Sequence, residues 1–171
     1  MLCWLSRLSF RLQSFIAFLG CAGLVGYAIY AQETQGLSPC SLCISQRIAY
    51  ALVGLVFLVA VIHGPKKRIW RYIYGLLGIL ASLSGLGLAA RQLWLQYGPH
   101  STDPVSCGPS FAFLEQTQGI LAIFKTALLG TGDCAKIDWV FLGISMPGWS
   151  ALCFVALAIY SGCISFKKHR A

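Results

Sequence analysis

The residues with the clearest capacity for chemistry lie in one short stretch, Ser38-Pro39-Cys40-Ser41-Leu42-Cys43-Ile44-Ser45-Gln46-Arg47. It holds a C-x-x-C pair, a proline ahead of the pair, and the only basic residue between Arg11 and Lys66. Two thiols at this spacing can close a disulfide, bind a soft metal or pass electrons. Six further cysteines, Cys3, Cys21, Cys107, Cys134, Cys153 and Cys163, are dispersed along the chain. Their compartments decide which of them can meet the pair.

The chain of 171 residues is 57% hydrophobic and 11% charged, with a mean hydropathy of +0.72. A water-soluble domain carries about a quarter charged residues, so this composition belongs in a bilayer. The net charge of +8 raises nucleic acid as a partner. The basic residues, however, stand in short clusters beside long apolar runs, where topology signals lie, and nucleic-acid binding is set aside.

Four spans are expected, at about 12–32, 41–62, 72–90 and 147–166 of a single membrane domain covering 1–171. The first is longer than the core of a cleaved signal peptide, about 7–15 residues, and reads as a retained span. The second has a short uncharged part, Ile48 to Gly64, so its helix begins upstream and carries Cys43 and Arg47 in its first turns. The third has small residues Ala81, Gly85 and Ala89 at four-residue spacing, a stripe that lets helix backbones approach closely in a membrane. The fourth begins near Pro147, where proline is tolerated at a helix start. Loops are expected at 33–40 and 91–145. The second is long for a small bundle, and its apolar residues between Phe111 and Leu129 can form a short amphipathic helix on the membrane surface. The fold class is therefore all-α: an integral membrane four-helix bundle with a long outer loop.

An even number of spans puts both termini on one side. Arg7, Arg11, Lys66, Lys67, Arg68, Arg71, Lys167, Lys168 and Arg170 fall on that side, nine of the thirteen basic residues. The five acidic residues, Glu33, Asp103, Glu115, Asp133 and Asp138, fall on the other. The positive-inside rule makes the basic side cytoplasmic. Trp94, Tyr97, Trp139 and Trp149 fit an aromatic belt at the outer interface. Cys40, Cys43, Cys107 and Cys134 then share the outer compartment, which in a bacterium is the oxidising periplasm. Cys21, Cys153 and Cys163 lie within spans, as small packing residues.

Four outer cysteines can be two structural staples, a zinc site or a redox relay. Zinc is disfavoured because Cys107 and Cys134 stand 27 positions apart with no histidine between them. A staple inside a C-x-x-C adds little stability, since the entropy removed grows with the loop closed. Redox exchange suits the spacing better. Cys43 near a helix start has N–H groups and the positive dipole end close by, which favour thiolate. Arg47, one turn on, is expected on the same face as a fixed charge beside the sulfur. A charge inside a span points to function.

Pro39-Cys40-Ser41-Leu42-Cys43 with Gln46-Arg47, then Arg91-Gln92-Leu93-Trp94-Leu95-Gln96, Cys107-Gly108-Pro109, Gly132-Asp133-Cys134-Ala135 and Trp139-Val140-Phe141-Leu142-Gly143 with Met146-Pro147 resemble the DsbB family in order and spacing. The resemblance covers nearly the whole chain. It implies a multi-pass protein of the bacterial inner membrane that reoxidises a periplasmic thioredoxin-like DsbA-type oxidase and passes the electrons to the membrane quinone pool, ubiquinone or menaquinone. It further implies catalytic roles for Cys40, Cys43, Cys107 and Cys134, with Cys107 attacked by the partner, a Cys40–Cys134 link in the relay, and Arg47 binding the quinone. No metal is expected. Where some members carry a histidine this chain has Gln92, which can hydrogen-bond a quinone oxygen but cannot exchange a proton near neutral pH. Two other readings are a vitamin-K-epoxide-reductase-like quinone reductase, whose redox pair is expected later in the chain, and a non-catalytic scaffold with structural cysteines.

Overall fold

The computed structural model describes residues 9–36, 40–65, 67–98 and 140–166. Four long helices make up most of this: α1 Phe10–Gln35, α2 Ser41–His63, α3 Arg68–Tyr97 and α4 Met146–Phe166. Each is long and apolar enough to cross a membrane, and the chain is a multi-pass membrane protein of the all-α class the sequence implies. Large apolar side chains such as Leu19, Leu52, Leu55, Leu80 and Leu83 stay exposed on the outside of the bundle, as helices surrounded by lipid require. Cys107, Cys134 and the expected amphipathic helix lie outside the described residues.

Local chemistry sets the helix ends. Ser9 caps α1 by accepting the Leu12 N–H at 3.4 Å, and Gly36 ends it in the left-handed region at φ 61°. Gly64 ends α2 at φ 52° and gives its N–H to the Ala60 carbonyl. The largest departure from expectation is in α3, which continues through Arg91-Gln92-Leu93-Trp94-Leu95-Gln96 to Tyr97 before Gly98 closes it. Polar residues there lower the hydropathy, so the segment reads as loop, yet Arg, Gln and Leu are good helix formers.

Close approach between helices depends on small residues. Gly75, Gly78, Ser82, Gly85 and Ala89 form the buried face of α3. A Cβ at Gly85 would strike the Phe154 ring, and one at Gly75 the Ser165 side chain. Phe154 in turn stacks on Tyr50 with ring centroids 4.0 Å apart, which locks α4 to α2 and α3. Helix α1 enters this core through Ala17 and Cys21, packed with Val53 and Phe57, while the Tyr160 hydroxyl donates to the Gln13 carbonyl at 3.0 Å. Before α4 comes a short hairpin of β1 Val140–Phe141 and β2 Ile144–Ser145, pairing Val140 with Ser145 and Phe141 with Ile144. Its turn residues Leu142 and Gly143 have φ of 52° and 79°, the twist a two-residue hairpin turn needs. The Trp149 indole N–H donates to the Phe141 carbonyl at 3.1 Å and ties the hairpin to α4.

Candidate redox site

Cys40 is the N-cap of α2, in extended backbone conformation, and its sulfur accepts the Cys43 N–H at 3.3 Å. Its carbonyl accepts the Ile44 N–H at 3.1 Å. A neutral thiol is a poor cap because sulfur is a weak acceptor, whereas a thiolate at this position gains from the N–H and from the positive end of the helix dipole. The helix start thus directs a donor at Cys40, whereas the sequence reading assigned that influence to Cys43. Both cysteines are half-buried. Their sulfurs stand 2.9 Å apart as thiols, against about 2.05 Å in a disulfide, so the two sulfurs are close enough to pair with each other.

The Cys43 sulfur accepts from the Cys40 thiol and from an amide on α3, and its own thiol donates to Gln92 Oε1 at 3.8 Å. Gln92 Nε2 lies 3.3 Å from the Cys43 sulfur and 3.5 Å from that of Cys40. Its Oε1 accepts from Gln46 Nε2 at 2.7 Å, which sets the orientation of the amide and turns its N–H groups toward the sulfurs. Gln46 and Gln92 are 6% and 3% exposed. The sequence offers Gln92 only as a hydrogen-bonding group for a quinone oxygen and gives Gln46 no role; their contact with each other and with the sulfurs is a finding of the structure. Gln46 could have been found in the sequence, since it is three residues after Cys43 and so shares its helix face. Gln92 depends on α3 outrunning its apolar stretch, which hydropathy hides.

Arg47 lies on the same cavity wall as Cys43, and its guanidinium is hydrogen-bonded to α1. Nη1 donates to Gln32 Oε1 at 2.7 Å and Nη2 to the Ala28 carbonyl at 3.1 Å, both on α1. A charge within a span is costly unless hydrogen-bonded, and these two acceptors on α1 satisfy it better than a thiol can. Arg47 therefore joins α1 to α2 at the level of the dithiol.

The cavity beside these groups has a volume of about 340 Å³. From α1 it is lined by Leu24, Val25, Tyr27 and Ala28, and from α4 by Met146, Pro147, Trp149, Ser150 and Cys153. Phe141 of the hairpin and Tyr50 of α2 complete the apolar wall, and Cys43, Gln46, Arg47 and Gln92 supply the polar groups. Mostly apolar walls with a few convergent donors are the pattern of a small-molecule site. The Tyr50 hydroxyl donates to the Ser150 carbonyl at 3.0 Å, holding α2 to α4 across the cavity. Cys153, read from the sequence as packing, borders this space, whereas Cys21 is buried in the core.

The family model described as "Disulfide bond formation protein DsbB" matches residues 2–164. A disulfide bond formation protein B from Xanthomonas euvesicatoria pv. vesicatoria (strain 85-10) is 48% identical over 165 residues, covering 96% of this chain and 95% of its own. Proteins of the same name from Xanthomonas campestris pv. campestris (strain 8004), 49% identical over 164 residues with 96% and 94% covered, and from Xylella fastidiosa (strain 9a5c), 48% over 162 residues with 95% and 93% covered, are similar along their whole lengths. A capped dithiol at the start of a membrane helix, on a chain matched almost end to end, leads to one conclusion: the protein belongs to the DsbB family of membrane disulfide bond formation proteins.

Proposed function

We propose that this protein is a thiol oxidase of the bacterial inner membrane that reoxidises a periplasmic DsbA-type dithiol oxidase and delivers the electrons to a membrane quinone. The observation that carries the reading is the Cys40–Cys43 pair, 2.9 Å apart, with Cys43 on the wall of an apolar cavity that also holds Arg47 and Gln92. Both termini are cytoplasmic in this reading, and the redox cysteines face the periplasm.

The catalytic relay uses Cys107, Cys134, Cys40 and Cys43. A thiolate of the reduced partner attacks the Cys107 sulfur of a Cys107–Cys134 disulfide, forming a mixed disulfide and releasing Cys134. The partner's second thiol resolves it and leaves oxidised, leaving Cys107 and Cys134 reduced. Cys134 then attacks Cys40 of a Cys40–Cys43 disulfide, and Cys43 leaves as thiolate. Attack of Cys107 on Cys134 restores the loop disulfide and leaves Cys40 and Cys43 reduced. Two electrons and two protons move at each exchange. The cap N–H steadies charge on Cys40, and the Gln92 amide steadies it on both sulfurs.

The cavity fits a quinone ring: its walls are apolar, its volume falls within the range of about 300–1,000 Å³ usual for ligand sites, and amide and guanidinium donors suit carbonyl oxygens. Arg47 and Gln92 would hold those oxygens, with Tyr50 and Trp149 along the ring. When bound, a quinone supplies a two-electron, two-proton acceptor.

The test is a trap. With the Cys107–Cys134 disulfide intact, a reduced DsbA-type protein lacking its second, resolving cysteine should attack Cys107, release Cys134 as a thiolate and accumulate as a mixed disulfide at Cys107, and with the unaltered partner the protein should consume ubiquinone or menaquinone in proportion to partner oxidised. Partner oxidation without quinone consumption, or capture of the partner on Cys40 or Cys43 instead, would overturn the assignment.

A further inference from the structure

At the end of the bundle away from the dithiol, the turn between α2 and α3 gathers positive charge. Arg11 of α1 reaches across to it, its Nη2 3.4 Å from the Ile62 carbonyl and its guanidinium seated against Gly64, where a Cβ would collide with it. Arg71 of α3 comes from the other side and donates through Nε to the Pro65 carbonyl at 3.2 Å. Lys67, in the same turn, is exposed and has no hydrogen bond or ion pair among the described residues. Each guanidinium carries five N–H donors, of which these bonds use one each, and the Arg71 guanidinium also lies over the Phe10 ring, 5.3 Å from its centroid.

Among the described residues none of these cations pairs with a carboxylate. The chain has five acidic residues, and Glu33, the one within the described residues, lies near the opposite end of α1. Beside the cations is a cavity of about 280 Å³ lined by His63, Gly64, Pro65, Lys67 and Trp70. His63 is held there, sharing a 2.7 Å hydrogen bond with the Tyr74 hydroxyl and meeting the Trp70 ring edge-on at 5.1 Å. Ile62, Ile69 and Trp70 are 72%, 60% and 43% exposed next to the same turn.

We propose that this turn binds the phosphate of an anionic phospholipid, with Arg11, Lys67 and Arg71 as the phosphate ligands and Ile62, Ile69 and Trp70 against its acyl chains. Basic pockets between membrane helices recognise such headgroups, and the exposed apolar residues at the rim select a lipid over a free anion. The site stands apart from the dithiol, and its test does not depend on oxidase activity.

Native mass spectrometry of the full-length protein in detergent, titrated with phosphatidylglycerol or phosphatidylcholine, reads it directly. The protein should retain phosphatidylglycerol in preference to phosphatidylcholine, and Lys67→Gln should weaken phosphatidylglycerol binding roughly five-fold, as should each of Arg11→Gln and Arg71→Gln. Arg71→Lys should keep most of the binding. Lys67 is exposed and makes no side-chain cap hydrogen bond to α3, so its variant decides the matter even if an arginine variant unfolds. Equal retention of the two lipids, or unchanged phosphatidylglycerol binding in Lys67→Gln, overturns the proposal. Inorganic phosphate should not displace the lipid at equal concentration; ready displacement would make this a free-anion site and also refute it.

Discussion

Replacing Gln92 with methionine keeps the side-chain length while removing four interactions: the 2.7 Å amide pair with Gln46, the Cys43 thiol's donation to Oε1 at 3.8 Å, and the N–H contacts to the two sulfurs at 3.3 and 3.5 Å. Two costs follow, and they separate. Gln46 is buried, and loss of its acceptor leaves a buried amide donor, which costs about 1–3 kcal/mol of stability. A donor to a charged sulfur contributes about 1.5–3 kcal/mol. Its loss should slow quinone reduction by the dithiol roughly ten-fold or more. Gln46→Met removes only the amide pair, so it should destabilise by a similar amount with a smaller effect on rate. In the double variant both partners are apolar and matched in length, so stability should return close to the starting value while the rate stays as low as in Gln92→Met. A double-mutant cycle measures this as a coupling of about 1–3 kcal/mol, with unfolding followed in mixed detergent and quinone reduction by absorbance after rapid mixing. Additive stability effects, or full quinone turnover by Gln92→Met, would refute the role of the amide pair.

Other expectations follow from the same geometry. Arg47→Ala breaks two bonds to α1 and should lower quinone affinity or rate while thiol exchange with the partner continues; loss of the exchange step instead would count against this, and Arg47→Lys, which keeps the charge but not the fork, should fall between. Gly85→Ala drives a methyl into the Phe154 ring and through it against Tyr50, with an overpacking cost of about 1–3 kcal/mol and weaker quinone binding. Gly87→Ala, which meets nothing within 4 Å, should do neither, and equal effects of the two in a thermal unfolding and binding comparison would disprove the packing account. Cys43→Ser should abolish quinone reduction, whereas Cys107→Ser should block partner oxidation but leave Cys40–Cys43 reducible by small thiols, as thiol titration would show.

Much of the architecture was legible in the sequence because a bilayer imposes coarse, one-dimensional constraints. A span must be apolar for about 30 Å, charges must cluster outside it, and small residues must lie where helix backbones approach closely. The four helices, the role of Gly85 and the start of α4 by Pro147 follow from those rules, and the C-x-x-C at the head of α2 declares a redox-capable pair by spacing alone. What the sequence could not decide is how side chains from different helices meet. Hydropathy ends the third span before Gln92, and only the continued α3 helix carries that amide to the sulfurs. Helical spacing puts Arg47 on the face of Cys43, but nothing in it names the acceptors on α1, 15 and 19 positions away, that hold its guanidinium. Likewise no local pattern marks Tyr50 and Cys153 as walls of one cavity. Spacing within a helix is set by the chain's own geometry, whereas partners across helices depend on which buried polar groups can satisfy one another, and that is settled only when the helices pack.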